Sequence, residues 1–188
     1  MRLSEPRLKP LADDELGAEA LRVLEGATMR GQVFNIFRTL AHHPRLLESW
    51  LVFGAQVLGK STLPKREREL VVLRMGWLCQ SEYEWGQHVL IGRRAGLTDE
   101  EILRIKDGAD AEGWNNLDRA MLQATDELHA DAFISDATWE QLSRHFSTQQ
   151  LLDMIFVIGQ YNLVSMALNT LGVQRDPGVP GFDLRGAD

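Results

Sequence analysis

The chain has a single cysteine, Cys79, so it cannot form an internal disulfide bond. No apolar segment followed by a small-residue cleavage site comes after Met1, so we expect no secretory signal peptide. Polar residues interrupt the apolar stretches before they reach the ~20 residues that a membrane-spanning helix needs. Together these absences predict a cytoplasmic protein without a membrane partner.

The chain also lacks a block rich in lysine and arginine. It has 27 acidic and 20 basic residues, which gives a formal net charge of -7. Such a chain is unsuited to a phosphate backbone, so we expect no nucleic-acid partner, although Lys65, Arg66 and Arg68 could form a local basic patch. The glycines form no nucleotide-binding loop, and the chain contains neither an HExxH motif nor a cysteine pair. We therefore expect no cofactor and no metal.

Strand signals are almost absent. The β-like runs at residues 71–73 and 155–158 both lie inside longer patterns with helical periodicity. With 188 residues, of which 44% are hydrophobic, the chain is long enough for one domain with a substantial core. The predicted fold class is therefore all-α: one multi-helix domain over residues 1–188, with an extended N-terminal arm and an irregular C-terminal tail.

Caps and glycines mark where the helices begin and end. Asp13 or Asp14 is suited to cap the first helix, and Thr98 with Glu101 forms a capping box for a later one. Gly172 follows a long apolar helix and is suited to end it. Further boundary signals are Pro44, Gly59, Pro64, Gly96, Ser135 and Ser147.

Several chemically active side chains occur together at residues 78–88, LCQSEYEWGQH. Glu84 and His88 are four residues apart, so on a helix they share a face and the carboxylate can orient the imidazole and raise its pKa. Ser81 lies one turn before Glu84. Glu69 lies on the preceding helix and can join them, and its burial is expected to raise its pKa. The alternative is an ordinary solvated pair, which stabilises a helix by only ~0.2–0.5 kcal/mol.

The remaining cysteine and histidines are predicted to have structural or surface roles. Cys79 is interpreted as a small buried residue at a helix end rather than as a reactive thiol. His42 and His43 are expected to cap a helix or lie on the surface. His129 is interpreted as a structural histidine, with an approach to the site as the alternative, and His145 as a surface residue.

The long apolar helix near the C-terminus is interrupted by polar residues. Tyr161, Asn162 and Asn169 need hydrogen-bonding partners if most of this helix is buried. Subunit contacts or the edge of a polar pocket would supply such partners.

Residues 63–102, LPKRERELVVLRMGWLCQSEYEWGQHVLIGRRAGLTDEEI, resemble the signature region of the carboxymuconolactone decarboxylase family. That family also contains the alkyl hydroperoxidase D-like proteins. A looser resemblance covers residues 35–44, 126–129 and 160–174. It implies an all-helical fold, often assembled as trimers or hexamers. It also implies a site made by a glutamate of one signature helix and the motif residues of the next.

This sequence departs from the redox branch of the family, which uses Cys-x-x-Cys-x-x-x-His with a glutamate twelve residues before the first cysteine. With His88 as the anchor, the second cysteine position holds Glu84, the first holds Ser81, and the upstream glutamate is Glu69. Cys79 lies two positions too early to replace either thiol. Because dithiol peroxide reduction needs both thiols, the resemblance favours the acid/base chemistry of the decarboxylase branch.

The predicted function is therefore a carboxy-lyase of the carboxymuconolactone decarboxylase type, with a role in aromatic compound degradation. It would act on a small lactone or carbonyl acid. His88 would donate or accept the proton, Glu84 would orient it, and Glu69 would be a second acid/base or a partner through water. One alternative is peroxide reduction through Cys79 or a partner's thiol. The other is a non-enzymatic helical oligomer that binds a ligand, which deep burial of the three side chains with no accessible pocket would favour.

Overall fold

The computed structural model of the chain describes residues 1–27 and 31–186. These residues form helices, turns and isolated bridge residues, among them the antiparallel pair Pro180 and Gly186, and they contain no strand. The all-α prediction is confirmed for them. In chain order the α-helices are α1 (Ala18–Ala27), α2 (Asn35–Leu40), α3 (Pro44–Gly59), α4 (Lys65–Leu78), α5 (Glu82–Ala95), α6 (Asp99–Arg104), α7 (Asn116–Asp131), α8 (Asp136–Ser143) and α9 (Thr148–Leu171). The connection predicted between Gly26 and Gly31 falls mainly on residues 28–30, which lie outside the described residues.

Most of the predicted helix boundaries are confirmed. The Thr98 hydroxyl accepts from the Glu101 amide, and the Glu101 carboxylate accepts from the Thr98 amide. Gly172 ends α9 with a left-handed backbone, φ 71°. The predicted start of the first helix is wrong, because Asp13–Glu15 forms only a short 3₁₀ turn and α1 begins at Ala18.

Helix α4 lies at the centre of the molecule, where it packs against α5, α7 and α9. Four consecutive residues, Leu70 to Leu73, have no exposed surface, so the helix is enclosed on all sides. A helix in that position has no solvated face on which to place a charge. Every ionised side chain on its buried part must therefore find a partner inside the protein.

Helix α9 is long and apolar enough, by length and composition, to cross a membrane. The expectation that no segment reaches that length is therefore wrong for α9. Half of its most apolar segment is buried inside the protein, because the helix packs against α3, α4, α5, α7 and α8. Its inner face thus belongs to the core of this domain.

Both terminal segments pack against these helices. The irregular N-terminal arm lies at the end of α9, where the Arg7 amide donates to the Leu171 carbonyl over 2.8 Å. In the C-terminal tail, the buried Asp176 carboxylate accepts from the Tyr83 hydroxyl at 2.7 Å and the Gln87 amide at 2.8 Å. These bonds hold the tail on one side of α5.

Candidate active site

The predicted residues come from the two central helices. Glu69 lies on α4, and Glu84 and His88 lie one turn apart on α5. The two helices pack along each other, so residues on their facing sides can meet. A left-handed residue, Gln80, makes the tight turn between them, with φ 52°. The structure thus brings the three predicted side chains together.

His88 is held between two carboxylates. Its Nδ1 lies 2.6 Å from Oε2 of Glu69, and its Nε2 lies 3.0 Å from Oε1 of Glu84. The Tyr161 ring of α9 contacts the imidazole edge to face, with 4.7 Å between ring centroids. Glu69 binds His88 directly, so the predicted contact through water is wrong, whereas its role as a second acid/base stays a prediction.

A fourth residue, Arg68, extends this cluster. Its Nε donates to Oε1 of Glu69 over 2.9 Å, and its Nη1 donates to the Leu58 carbonyl over 2.6 Å. The result is a chain of alternating charge that runs from Arg68 through Glu69 and His88 to Glu84. With His88 protonated, the two positive and two negative charges cancel.

The cluster is almost completely enclosed. The exposed fraction of the side chain is 0% for Glu69, 5% for His88 and 6% for Glu84. The Arg68 side chain is 8% exposed. Of the three predicted residues, only His88 and Glu84 keep any surface that a small molecule or water can reach. In a site this dry, the attraction between opposite charges is stronger than at the protein surface.

The charges determine the protonation of the imidazole. Burial alone would lower the pKa of His88, but the adjacent Glu69 and Glu84 carboxylates outweigh it and raise that pKa to about 9. His88 is therefore an imidazolium at neutral pH. Both of its nitrogens then carry protons, which suits an imidazole placed between two carboxylates.

The expected rise in the pKa of Glu69 is wrong. Burial acts to raise it, but the neighbouring His88 and Arg68 outweigh burial and hold the pKa of Glu69 below its ordinary value. The prediction rested on the desolvation of Glu69 alone, whereas Arg68, named only as a candidate for a local basic patch, pairs with Glu69. The missed signal was its position beside Glu69 in a run of buried residues.

Cys79 lies buried at the end of α4, in the position that the sequence predicts. It is buried, with Sγ 3.5 Å from Met75 Sδ and 3.4 Å from Asn162 Oδ1. Burial raises the pKa of the thiol, which outweighs the opposing effects of Ser165 and Arg2. A thiol in this environment is a poor nucleophile at neutral pH.

Ser81 occupies the N-cap position of α5, but its side chain makes no capping hydrogen bond. The residue is fully buried, and its hydroxyl finds no hydrogen-bond partner among the described residues. It lies one helical turn before Glu84, at the N-terminal end of the face that carries the cluster.

The other histidines lie away from the cluster. His43 caps α3, where its Nδ1 accepts from the Leu46 amide over 3.3 Å, as the capping prediction requires. The ring of His42 contacts the Lys9 carbonyl at 2.9 Å. His129 and His145 are both exposed, so the structural interpretation of His129 is wrong and that of His145 as a surface residue is confirmed.

The polar residues of α9 obtain partners within the chain. Asn169 donates to the Cys79 carbonyl over 2.8 Å, and Asn162 contacts the Cys79 thiol. Tyr161 covers the imidazole of His88. In the part of the chain that the structure describes, no group of three or more His, Cys, Asp or Glu residues is arranged to hold a metal ion.

Comparison with protein families identifies the region that contains the cluster. Residues 44–127 match the carboxymuconolactone decarboxylase family. The resemblance predicted from the sequence is thus supported over this region, which is somewhat less than half of the chain. The match includes both central helices and all four charged residues of the cluster. No curated protein matches the chain.

Solved structures share the fold over nearly the whole chain. An uncharacterized peroxidase-related protein from Silicibacter sp. TM1040 superposes with a TM-score of 0.79 at 19% identity, over 94% of this chain and 96% of that one. A peroxidase-related protein with an alkylhydroperoxidase AhpD core, from Ralstonia eutropha JMP134, superposes with a TM-score of 0.75 at 22% identity, over 92% of this chain and 94% of that one. A variant of the debrominase Bmp8 in complex with 2,3,4-tribromopyrrole superposes with a TM-score of 0.72 at 14% identity, over 92% of this chain and 93% of that one. These likenesses establish the AhpD-like all-α fold.

Proposed function

We propose that this protein is a non-redox acid/base enzyme of the carboxymuconolactone decarboxylase type that acts on a small lactone or carbonyl acid. The observation that carries the proposal is the buried charge chain of Arg68, Glu69, His88 and Glu84. A protonated imidazole held between two carboxylates stores a proton in a nearly dry site. Such an arrangement is suited to proton transfer to a reacting carbon.

The geometry supports different roles for the two carboxylates. Glu69 has no exposed surface and is bound on both sides, so it is a positioning residue that fixes the ring and its charge. Glu84 keeps a small exposed fraction and contacts the other ring nitrogen. The proposal therefore places Glu84 and His88 next to the substrate and Glu69 behind them.

The proposed reaction needs only the groups of the site and one proton from the solution. The bond between the substrate and its carboxylate carbon breaks, carbon dioxide leaves, and the electron pair is delocalised into the adjoining carbonyl as an enolate. A proton moves from Nε2 of His88 to Glu84, and Glu84 delivers a proton to the substrate carbon. A proton from the bulk solution then restores the imidazolium of His88, whose raised pKa favours the uptake, so the net reaction consumes one proton for each carbon dioxide released.

The sequence and the cysteine environment argue against dithiol chemistry. Ser81 and Glu84 stand where the redox branch has its two thiols, and Cys79 is buried with a raised pKa. The structural neighbours include peroxidase-related proteins and a debrominase, so the fold itself does not select a reaction. We expect Cys79→Ser to leave any peroxide consumption unchanged, and a loss of that activity would restore the redox alternative.

Enclosure of the cluster favours a second candidate, a non-enzymatic protein in which the charges are purely structural. All three predicted side chains are buried, as this alternative requires. A structural cluster and a catalytic one differ in what a conservative substitution does. His88→Gln should leave the folded state largely intact in either case, whereas only a catalytic cluster loses turnover.

The experiment is a screen of lactones and β-keto acids for release of carbon dioxide. The wild type is compared with His88→Gln and Glu84→Gln, and with His129→Gln as the matched control, because His129 is an exposed histidine on α7. We expect a loss of at least ~100-fold in kcat for the two site variants and no change for the control. Turnover of a panel substrate at the wild-type rate by His88→Gln would refute the proposal.

A screen that finds no substrate would support the structural candidate only with a second result. Binding of panel compounds to the wild type can be measured by thermal shift. A compound that raises the Tm without being turned over, equally in wild type and in His88→Gln, would assign the protein to the ligand-binding class.

A further inference from the structure

The outer face of α9 carries an exposed apolar stripe. Its large side chains are about half exposed: 52% for Leu152, 56% for Phe156, 53% for Leu163 and 54% for Met166. The whole stripe, called here the α9 seam, consists of Leu152, Phe156, Gly159, Leu163, Met166 and Thr170, all of which are exposed.

The spacing along the α9 seam indicates the shape of its partner. Successive members are separated by four, three, four, three and four residues, which is the alternation of a coiled-coil contact. A stripe with this period lies straight along the helix and fits the side chains of a second helix. The partner surface should therefore be helical.

The chemistry of the seam restricts the partner further. Asp153 is the one charged residue of α9, and its carboxylate already accepts from the Thr62 hydroxyl at 2.8 Å. The helix has no lysine or arginine, although a helix that lies on an anionic membrane surface usually has several. An uncharged apolar stripe matches another copy of itself, because no charges need to be paired across the contact.

The apolar area is suited to a stable contact between two proteins. Phe53 of α3, which is 38% exposed, contacts Phe156 with 6.3 Å between ring centroids and widens the face. With ~200 Å² for a whole large side chain, the five exposed side chains present on the order of 500 Å². Standard interfaces bury ~800 Å² on each partner, of which about two thirds is apolar at the core. The seam therefore supplies most of the apolar area that such a contact needs.

We infer that the α9 seam is the contact between two copies of this chain, with α9 of each copy packed against α9 of the other about a two-fold axis. Such a contact builds a dimer, or a hexamer made of three dimers, and does not by itself build a trimer. The inference does not depend on the proposed reaction. It has one consequence for the site: the contact would hold in place the helix whose inner face covers His88 through Tyr161.

Sedimentation velocity tests the inference on the full chain. The wild type is expected to sediment with at least twice the mass of the 21.2 kDa chain. Phe156→Glu and Leu163→Glu should each at least halve the mass of the assembly, because each places carboxylates in an apolar contact. The matched control is Leu103→Glu on α6, a leucine that is 43% exposed and lies outside the seam, and it should keep the wild-type mass.

Cross-linking provides a second measurement in case the glutamate variants fail to fold. In a Cys79→Ser background, Leu163→Cys is expected to form a covalent dimer on oxidation, and Leu103→Cys is not. A monomeric wild type, an unchanged mass in both glutamate variants that remain helical by circular dichroism, or equal cross-linking at the two positions would overturn the inference. Binding of a monomeric wild type to phosphatidylcholine vesicles would also overturn it and assign the face to lipid.

Discussion

The two sides of α9 differ in a way that reverses the usual distribution of polar and apolar residues. On its inner side lie four ionised residues with almost no exposed surface, and on its outer side lie large hydrophobic side chains that are half exposed. The buried charges satisfy one another within one chain. The exposed hydrophobic residues cannot be covered within a monomer, so they indicate a contact with another molecule.

Neither feature is what stability alone would select. A buried ionic cluster is often no more stabilising than apolar residues of the same volume, because removing the charges from water costs free energy. An exposed apolar stripe reduces solubility. Departures from the rules of folding concentrate where a protein has a function. We therefore propose chemistry at the buried cluster beneath the inner face of α9 and association at its outer face.

The largest expected effect comes from removing the central carboxylate of the inner cluster. Glu69→Ala leaves the Arg68 guanidinium and the His88 imidazolium buried without their shared partner. We expect a loss of ~3–5 kcal/mol in the free energy of unfolding, measured by urea denaturation. Glu100→Ala, at an exposed glutamate of α6, should change it by less than ~0.5 kcal/mol. Equal effects of the two substitutions would show that the cluster is not a paired buried network.

Substitutions at two neighbouring leucines of α9 allow its inner and outer faces to be compared directly. Leu151 is 5% exposed and Leu152 is 52% exposed. Leu151→Ala should lower the free energy of unfolding by ~2–5 kcal/mol, because it leaves a cavity in the core. Leu152→Ala should have little effect in dilute protein, within ~0.5 kcal/mol, and should instead weaken self-association. A similar loss of stability in both variants at low concentration would contradict the assignment of the outer face.

A smaller effect is expected from pH. The pKa of His88 is raised from its ordinary value of about 6.5 to about 9 in the folded protein. The stabilisation from this shift is complete below pH 6.5 and is lost as the pH rises through about 9, because the folded protein then gives up the extra proton. The free energy of unfolding should fall over this interval by on the order of 2 kcal/mol more in the wild type than in His88→Gln. If the free energy of unfolding changed with pH in the same way in the wild type and in His88→Gln, the raised pKa of His88 would be excluded.

Much of this arrangement follows from local sequence signals. The cap at Thr98 and Glu101 and the glycine at the end of α9 set helix boundaries that depend on only a few neighbouring residues. The four-residue spacing of Glu84 and His88 places them on one face of α5 whatever surrounds the helix. These features were predictable because each depends on one element.

The rest depends on how the elements pack. The direction of the pKa shift of Glu69 required knowing that Arg68 points inward rather than to solvent. The α9 seam was hidden because α9 is apolar on nearly every side, and its sequence does not say which face the other helices cover. Both features are decided by tertiary contacts rather than by local pattern.

The most direct test of the account is the protonation of the imidazole, which NMR can follow without a known substrate. Among the five histidines of the chain, one resonance should titrate near pH 9, and it should be absent from His88→Gln. The same resonance should titrate at lower pH in Glu69→Gln, because the nearest negative charge is gone. A His88 resonance that titrates at or below its ordinary value of about 6.5 in the wild type would contradict the stored proton on which the proposed chemistry depends.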